Sequence, residues 1–114
     1  MELSRGVGRM TNVDVLKCED LSASCSVNLR NKIKRLMERR HFRFIVDLRE
    51  ARKMDVARLG ILVERLIRMR KHKGDIRLCS LRPEITRMME RVGVSSLFET
   101  FTTKEEALKS FRDM

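Results

Sequence analysis

Short strand-like runs alternate along the chain with longer segments that carry one apolar stripe, and few folds are compatible with this order. The run from Phe42 to Leu48 is rich in aromatic and β-branched residues, which is typical of an interior strand. The segment after it has a helical apolar stripe made of Leu59, Leu62, Val63, Leu66 and Ile67. Strands and helices that alternate in this way predict an α/β domain with a mainly parallel central sheet and about four helices.

The same signals predict the other elements. Strands are expected at Asn12 to Cys18, Asp75 to Leu81 and Leu97 to Phe101. In the first strand, the residues expected to share one face are Val13, Val15 and Cys18. The first helix is capped by Ser24 or Ser26 and ends near Arg40. Its apolar stripe consists of Leu29, Ile33, Leu36 and Met37.

Capping residues mark the remaining helices. Asp55 is expected to cap the second helix, which stops before Gly74. Pro83 lies in the first turn of the third helix and Gly93 follows its last turn. The core-facing residues of that helix are Ile85, Met88, Met89 and Val92. A capping box, Thr103 with Glu106, begins a final helix that carries Ala107, Leu108 and Phe111.

Length and composition indicate one small globular domain. The chain has 114 residues, of which 42% are hydrophobic, enough for a single core. Residues 1–11 are expected to form an N-terminal tail and residues 12–112 the domain. No apolar run approaches the roughly 20 residues of a membrane span, and the N-terminus lacks a hydrophobic signal core. We therefore expect a cytoplasmic protein.

The sequence contains no recognisable catalytic or metal-binding motif. His41 and His72 lie in basic, polar contexts without a carboxylate or serine at a triad-like spacing. Cys18, Cys25 and Cys79 lack zinc-ligand spacing, and their odd number favours reduced thiols packed in or near the core. No phosphate-binding loop or metalloprotease motif occurs. We expect no catalytic residue, no cofactor and no metal, and the protein is interpreted as a non-enzyme.

Charge is the second informative property. The formal net charge is +10 and the pI is about 10.4. The predicted first and second helices carry most of the cations: Arg30, Lys32, Lys34, Arg35, Arg39, Arg40, Arg65, Arg68, Arg70, Lys71 and Lys73. This pattern fits a solvated helical surface, an acidic protein partner, or a nucleic-acid or anionic-surface ligand. The chain has no Trp or Tyr, which disfavours base stacking.

The stretch Asp47 to Gly60, reading DLREARKMDVARLG, carries a family resemblance. It resembles the signature of the STAS domain, the fold of bacterial anti-sigma-factor antagonists, whose loop typically reads Asp-Ser-Ser/Thr-Gly-Leu-Gly. Further similar segments follow in the family's order: residues 19–22, 73–78, 81–85, 92–98 and 105–108. The resemblance covers about residues 12 to 112 and implies a small STAS-like α/β fold.

The resemblance also implies a function. In that family the loop binds an anti-sigma factor or a related regulatory kinase, and the kinase phosphorylates its first hydroxyl residue. Here that position is Val56, followed by Ala57, so the resemblance implies no phosphoacceptor at the usual place. The resemblance implies that the loop Ala51 to Arg58 and the start of the second helix bind the partner. The expected partner-binding residues are Asp55, Val56, Ala57, Arg58 and Ser22. Arg58 replaces the family's glycine, and it either meets an acidic partner or extends into solvent.

Without the acceptor, the module is expected to be constitutively competent or to serve another partner in transcription regulation. The alternative function is that of a basic nucleic-acid or anionic-surface binding protein.

Overall fold

The computed structural model describes residues 13–17, 23–52, 54 and 56–112, and for residues 23–27 the backbone alone. The strands are β1 (Val13–Lys17), β2 (Arg43–Asp47), β3 (Asp75–Cys79) and β4 (Thr100–Phe101), and the helices are α1 (Ala23–Glu38), α2 (Val56–Lys71), α3 (Pro83–Val92) and α4 (Lys104–Arg112). The strands form one sheet of order β1-β2-β3-β4, in which all neighbours are parallel. The predicted α/β class is confirmed.

Two clusters of buried side chains cover the two faces of the sheet. Phe44 and Val46 of β2 point to one face, where they join residues of α1, α2 and α3. Ile45 points to the other face and packs with Cys79 and with Ala107 and Phe111 of α4. Because successive strand residues alternate between faces, β2 is apolar at adjacent positions and is buried on both sides.

The edge strand β1 has Val13 and Val15 on one face, as predicted, but that face is only partly buried. Leu16 is buried among the helices, but Val15, on the opposite face, is 37% exposed. Helix α4 packs mainly on β2, β3 and β4, so the outer face of β1 is only partly covered: Val13 is half-buried and packs against the cluster of Ile45, Cys79, Ala107 and Phe111, whereas Val15 is left open. Val15 is therefore not a core residue. Cys18, expected on the same face, lies outside the described residues.

Two residues assigned to helical stripes are also exposed. Ile67 of α2 is 53% exposed and Val92 of α3 is 40% exposed. Each α-helical residue is rotated about 100° from the one before it, so Ile67 turns away from the buried Leu66 towards solvent. The stripe of Leu59, Leu62 and Leu66 is buried as predicted, and Val63 is half-buried.

The predicted strand Leu97 to Phe101 is wrong in its first half. Ser95–Leu97 form a 3-10 turn, in which the Leu97 amide donates to the Val94 carbonyl at 3.0 Å. Phe98 is buried against the main cluster, and only Thr100–Phe101 pair with β3. Phe98 thus packs into the core before the chain enters β4 at Thr100.

Helix ends follow local signals where side chains are described. The Glu106 amide donates to Thr103 Oγ1 at 3.1 Å, and the Thr103 amide donates to Glu106 Oε1 at 3.3 Å, which is the predicted capping box. Gly93 has φ 89° and accepts the left-handed conformation that ends α3. The predicted cap Asp55, and the side chains of Ser24 and Ser26, lie outside the described residues.

Candidate functional site

The segment between β2 and α2 leaves the sheet through a fixed turn. The Leu48 amide donates to the Cys79 carbonyl at 3.0 Å, which continues the ladder one residue past β2. The Arg49 amide then donates to Asp47 Oδ1 at 3.0 Å, and the Ala51 amide to the Leu48 carbonyl at 3.0 Å. An aspartate that accepts the amide two residues ahead favours a tight turn. The direction of the segment is therefore set at the sheet edge.

Buried side chains anchor the same segment. Ala51 is fully buried and Met54 nearly so, and both belong to the main core cluster. Arg82, just before α3, donates through Nε to the Arg49 carbonyl at 3.1 Å. Ala51 and Met54 face inward and are unavailable to a partner. The predicted loop Ala51 to Arg58 thus consists of an anchoring part and a displayed part.

The displayed part is the first turn of α2. Val56 is 61% exposed, Ala57 is exposed, and Arg58 is half-buried. Gly60 is also exposed, and a Cβ placed on it would meet no described heavy atom within 4 Å. Leu59, by contrast, is fully buried and holds the turn on the core. The exposed surface of this turn is thus small and mainly apolar, and the guanidinium of Arg58 lies in the same turn.

The electrostatics of this turn favour negative partners. Residues 56–59, the described first turn of α2, include no acidic residue, and a helix N-terminus carries a partial positive charge. The guanidinium of Arg58, which has an interaction within the chain, lies in the same turn. A group that complements the surface therefore combines a carboxylate with a small apolar contact.

The structure brings together some of the predicted site residues. Val56, Ala57 and Arg58 are consecutive in the first turn of α2, and neither Val56 nor Ala57 carries an oxygen on its side chain. Asp55 and Ser22, also predicted for this site, lie outside the described residues.

A cleft of about 550 Å³ lies at the same edge of the sheet and was not predicted. It is lined by Lys17, Asp47, Arg49, Glu50, Ser80, Thr102, Thr103, Lys104 and Glu105. These residues follow or end the four strands, and the carboxyl ends of parallel strands meet at one edge, where such sheets usually bind ligands. The strand order could have indicated the cleft, but the individual residues form no sequence motif.

The cleft is of mixed charge, and Asp47 in its lining is close enough to the buried thiol of Cys79 to affect it. Burial, with the nearby carboxylate of Asp47 adding to it, raises the pKa of the Cys79 thiol. The thiol therefore stays protonated and is a poor nucleophile. Among the described residues, no group of His, Cys, Asp and Glu side chains could hold a metal ion. No helix in the described part of the chain is long and apolar enough to span a membrane.

Comparison with known families gives one match, the STAS domain, over residues 19–107. No curated protein sequence matches the chain.

Solved structures with the same fold include an anti-sigma factor antagonist and the STAS domain of a transporter. The anti-sigma factor antagonist SpoIIAA in its unphosphorylated form has a TM-score of 0.80 and 19% identity, covering 91% of this chain and 92% of that one. A STAS domain protein of Planctomyces limnophilus gives a TM-score of 0.68 with 18% identity, covering 82% and 87%. The STAS domain of a SulP transporter of Vibrio cholerae gives 0.72 with 14% identity, covering 90% and 83%. These likenesses establish the fold.

Proposed function

The chain belongs to the STAS domain family, and we propose that it is a regulatory module that binds another protein without catalysing a reaction. The observation that carries the proposal is the exposed first turn of α2 on an anchored segment. Ala51, Met54 and Leu59 hold the turn in place, so Val56 and Ala57 are displayed in a fixed geometry. A preformed surface loses little conformational freedom on binding, which favours affinity.

The partner we propose is an anti-sigma factor or a related regulatory kinase. The likeness to SpoIIAA, an anti-sigma factor antagonist with structures in unphosphorylated and phosphorylated forms, supports this choice. The positive first turn of α2 adds a physical requirement, since a docked segment should carry a carboxylate near Arg58.

We further propose that the usual phosphorylation switch is lost. We place the family's acceptor position at Val56, whose side chain has no oxygen. A phosphate there would bring about 1.5 to 2 negative charges into the docking surface and would change binding strongly. Val56 cannot be modified in this way, so the protein is either constitutively competent or serves another partner.

The experiment begins with affinity capture of the binding partner from cells that express the protein. Its affinity is then measured by calorimetry for the wild type and for Val56→Asp and Ile67→Asp. Both replaced residues are exposed β-branched apolar residues of α2, at 61% and 53% exposure, but Ile67 lies two turns or more from the first turn. An aspartate at a helix N-terminus does not disfavour the helix, so Val56→Asp should fold.

The proposal expects Val56→Asp to weaken binding by about tenfold or more, since a desolvated carboxylate replaces an apolar contact. Ile67→Asp should bind within about twofold of the wild type. Normal binding by Val56→Asp, or a larger loss with Ile67→Asp, would place the docking surface elsewhere.

A further inference from the structure

Two neighbouring turns form the opposite end of the sheet from the first turn of α2. The α1–β2 turn contains Arg39 to Phe42, and the α2–β3 turn contains His72 to Gly74. Since β2 and β3 are adjacent parallel strands, the two turns lie side by side. We call the exposed cations of these turns and of the adjoining helix end the basic end: Arg39, Arg40, Lys71 and Lys73.

The two turns are fastened to each other. The Asp75 amide donates to the Phe42 carbonyl at 2.9 Å. The rings of Phe42 and His72 stack with centroids 4.3 Å apart and planes inclined by 6°. A Cβ on Gly74 would collide with the Phe42 carbonyl oxygen, so glycine alone permits this approach. The cations on both turns are therefore presented as one surface with fixed spacing.

Two of the cations occupy backbone positions that usually belong to glycine. Arg40 has φ 68° and Lys73 has φ 62°, both in the left-handed region just after a helix. In each case the amide of the following residue donates a hydrogen bond to a carbonyl in the last turns of the helix. The His41 amide donates to the Leu36 carbonyl and the Gly74 amide to the Met69 carbonyl, both at 2.9 Å. This is the helix ending that strongly favours glycine.

Helix α3 ends in the same way but uses glycine, at Gly93 with φ 89°. The chain therefore keeps a cation at two strained positions where an uncharged, unstrained residue would end the helix equally well. The last turn of α2 already carries Arg68, Arg70 and Lys71, so the helix dipole does not require Lys73.

Nearby carboxylates leave this surface largely positive. Asp14 Oδ2 is 2.9 Å from His41 Nδ1, and Asp75 is paired with Arg77 at 3.0 Å and Arg70 at 3.3 Å. Glu38 is exposed and adjoins the α1–β2 turn, and Glu99, just before β4 at the same edge of the sheet, is exposed and lies 3.8 Å from Arg77. No carboxylate among the described residues forms an ion pair with a cation of the basic end.

We propose that the basic end binds the phosphate backbone of duplex nucleic acid, independently of base sequence. Adjacent strands lie about 4.8 Å apart and packed helices about 8 to 10 Å apart, so the two turns place cations within a few phosphate spacings of a duplex. Phosphate contacts need only such cations. Binding to a lipid surface also uses apolar side chains that insert, and the exposed large apolar residues Val15, Val56, Ile67 and Val92 lie outside both turns.

The test is fluorescence anisotropy of a labelled duplex DNA of about 20 base pairs, titrated with the full chain between roughly 50 and 200 mM salt. The test variant is Arg40→Gly/Lys73→Gly, which removes two charges and also relieves both left-handed positions. Its melting temperature should equal or exceed that of the wild type, so weaker binding cannot be attributed to unfolding. The matched control is Arg30→Gln/Lys32→Gln, which removes two exposed charges from the middle of α1, away from both turns.

The wild type should bind, with an affinity that falls steeply as salt rises. The glycine variant should lose about tenfold or more in affinity at low salt, and its salt slope should fall by about 2, one for each phosphate that is no longer neutralised. The control should stay within about twofold. Absence of wild-type binding at 50 mM salt, or equal losses in both variants, overturns the proposal.

A parallel arm uses vesicles that contain phosphatidylserine. Vesicle binding that depends on Arg40 and Lys73, with duplex binding that does not, assigns the basic end to lipid headgroups and also overturns the proposal. None of these measurements depends on the partner of the first turn of α2, so the two proposals fail separately.

Discussion

The guanidinium carbon of Arg77 lies 4.0 Å from the centroid of the Phe111 ring, which joins the centre of β3 to the last turn of α4. Arg77 Nε also donates to Asp75 Oδ2 at 3.0 Å, and a second nitrogen donates to Ser110 Oγ at 2.7 Å. Arg77 and Asp75 are both buried. Helix α4 is thus attached to the sheet by a buried cation as well as by apolar packing.

Breaking this pair should destabilise the domain. Arg77→Met leaves the Asp75 carboxylate buried without its closest cation, and losing one partner of a buried pair costs about 3 to 5 kcal/mol. Arg68→Met is the control, because its pair with Glu64, at 2.9 Å, is exposed and should contribute less than about 1 kcal/mol. Urea unfolding measures both. Equal losses would mean that the Arg77 pair is no more important than a surface pair.

The buried stripe of α2 should dominate the stability of that helix. Leu62→Ala or Leu66→Ala should cost about 2 to 5 kcal/mol, because each side chain is fully buried. Ile67→Ala, at 53% exposure, should cost less than about 1 kcal/mol. Thermal unfolding followed by circular dichroism measures the difference. Similar melting temperatures for all three variants would contradict the packing of α2.

Stability should fall at alkaline pH through Cys79. The pKa of its thiol is raised mainly by burial and further by the nearby carboxylate of Asp47. A raised folded-state pKa means that the folded protein holds the proton more tightly than the unfolded chain, whose thiol has a pKa of about 8.5. The stabilisation that comes from this tighter proton binding is fully present below that pH and is lost as the pH rises through the folded-state pKa. Urea unfolding between about pH 7 and 10 should therefore show a steeper loss for the wild type than for Cys79→Ala. Parallel curves would contradict the shift.

Restoring a hydroxyl should restore modification if the captured partner is a kinase. Val56→Ser places an oxygen at an exposed position of the first turn of α2, and mass spectrometry after incubation should find phosphate there. The wild type should remain unmodified. Stoichiometric phosphate on a wild-type serine, such as Ser22, Ser24, Ser26, Ser95 or Ser96, would instead indicate a displaced acceptor.

Charge reversal at Arg58 should affect association more than stability. Arg58→Glu places a negative charge near the positive N-terminus of α2, which favours the helix slightly. An acidic partner should then associate more slowly and with a weaker salt dependence, as surface plasmon resonance would measure. Arg87→Glu, an exposed reversal on α3, is the control. Faster association of Arg58→Glu would indicate a basic partner.

Periodicity predicted the elements well because burial on one face imposes it. The stripe of α2 and the capping box of α4 are each encoded by residues within a few positions of one another. Features that depend on a distant element were missed. Val15 is exposed because α4 packs mainly on β2, β3 and β4, and Phe98 delays β4 until Thr100 because it is buried against the main cluster.

The candidate site was predicted only in part for the same reason. Val56, Ala57 and Arg58 are contiguous in sequence, so a local motif could indicate them. The cleft beside them combines residues from the ends of four strands, which no local pattern joins. The burial of Arg65 was also not predicted, because the sequence analysis counted this residue among the cations of a charged helical surface. Its Nε is buried without a hydrogen-bond partner among the described residues.

Helix α2 is a single run of 16 residues from Val56 to Lys71, without proline. At 1.5 Å per residue it is a rigid rod of about 24 Å. The first turn of α2 lies at one end of this helix and the basic end at the other, and the buried residues Leu59, Leu62 and Leu66 hold the helix against the core. Two molecules bound at the two ends of α2 would therefore keep a constant separation and orientation, even if the surrounding loops moved.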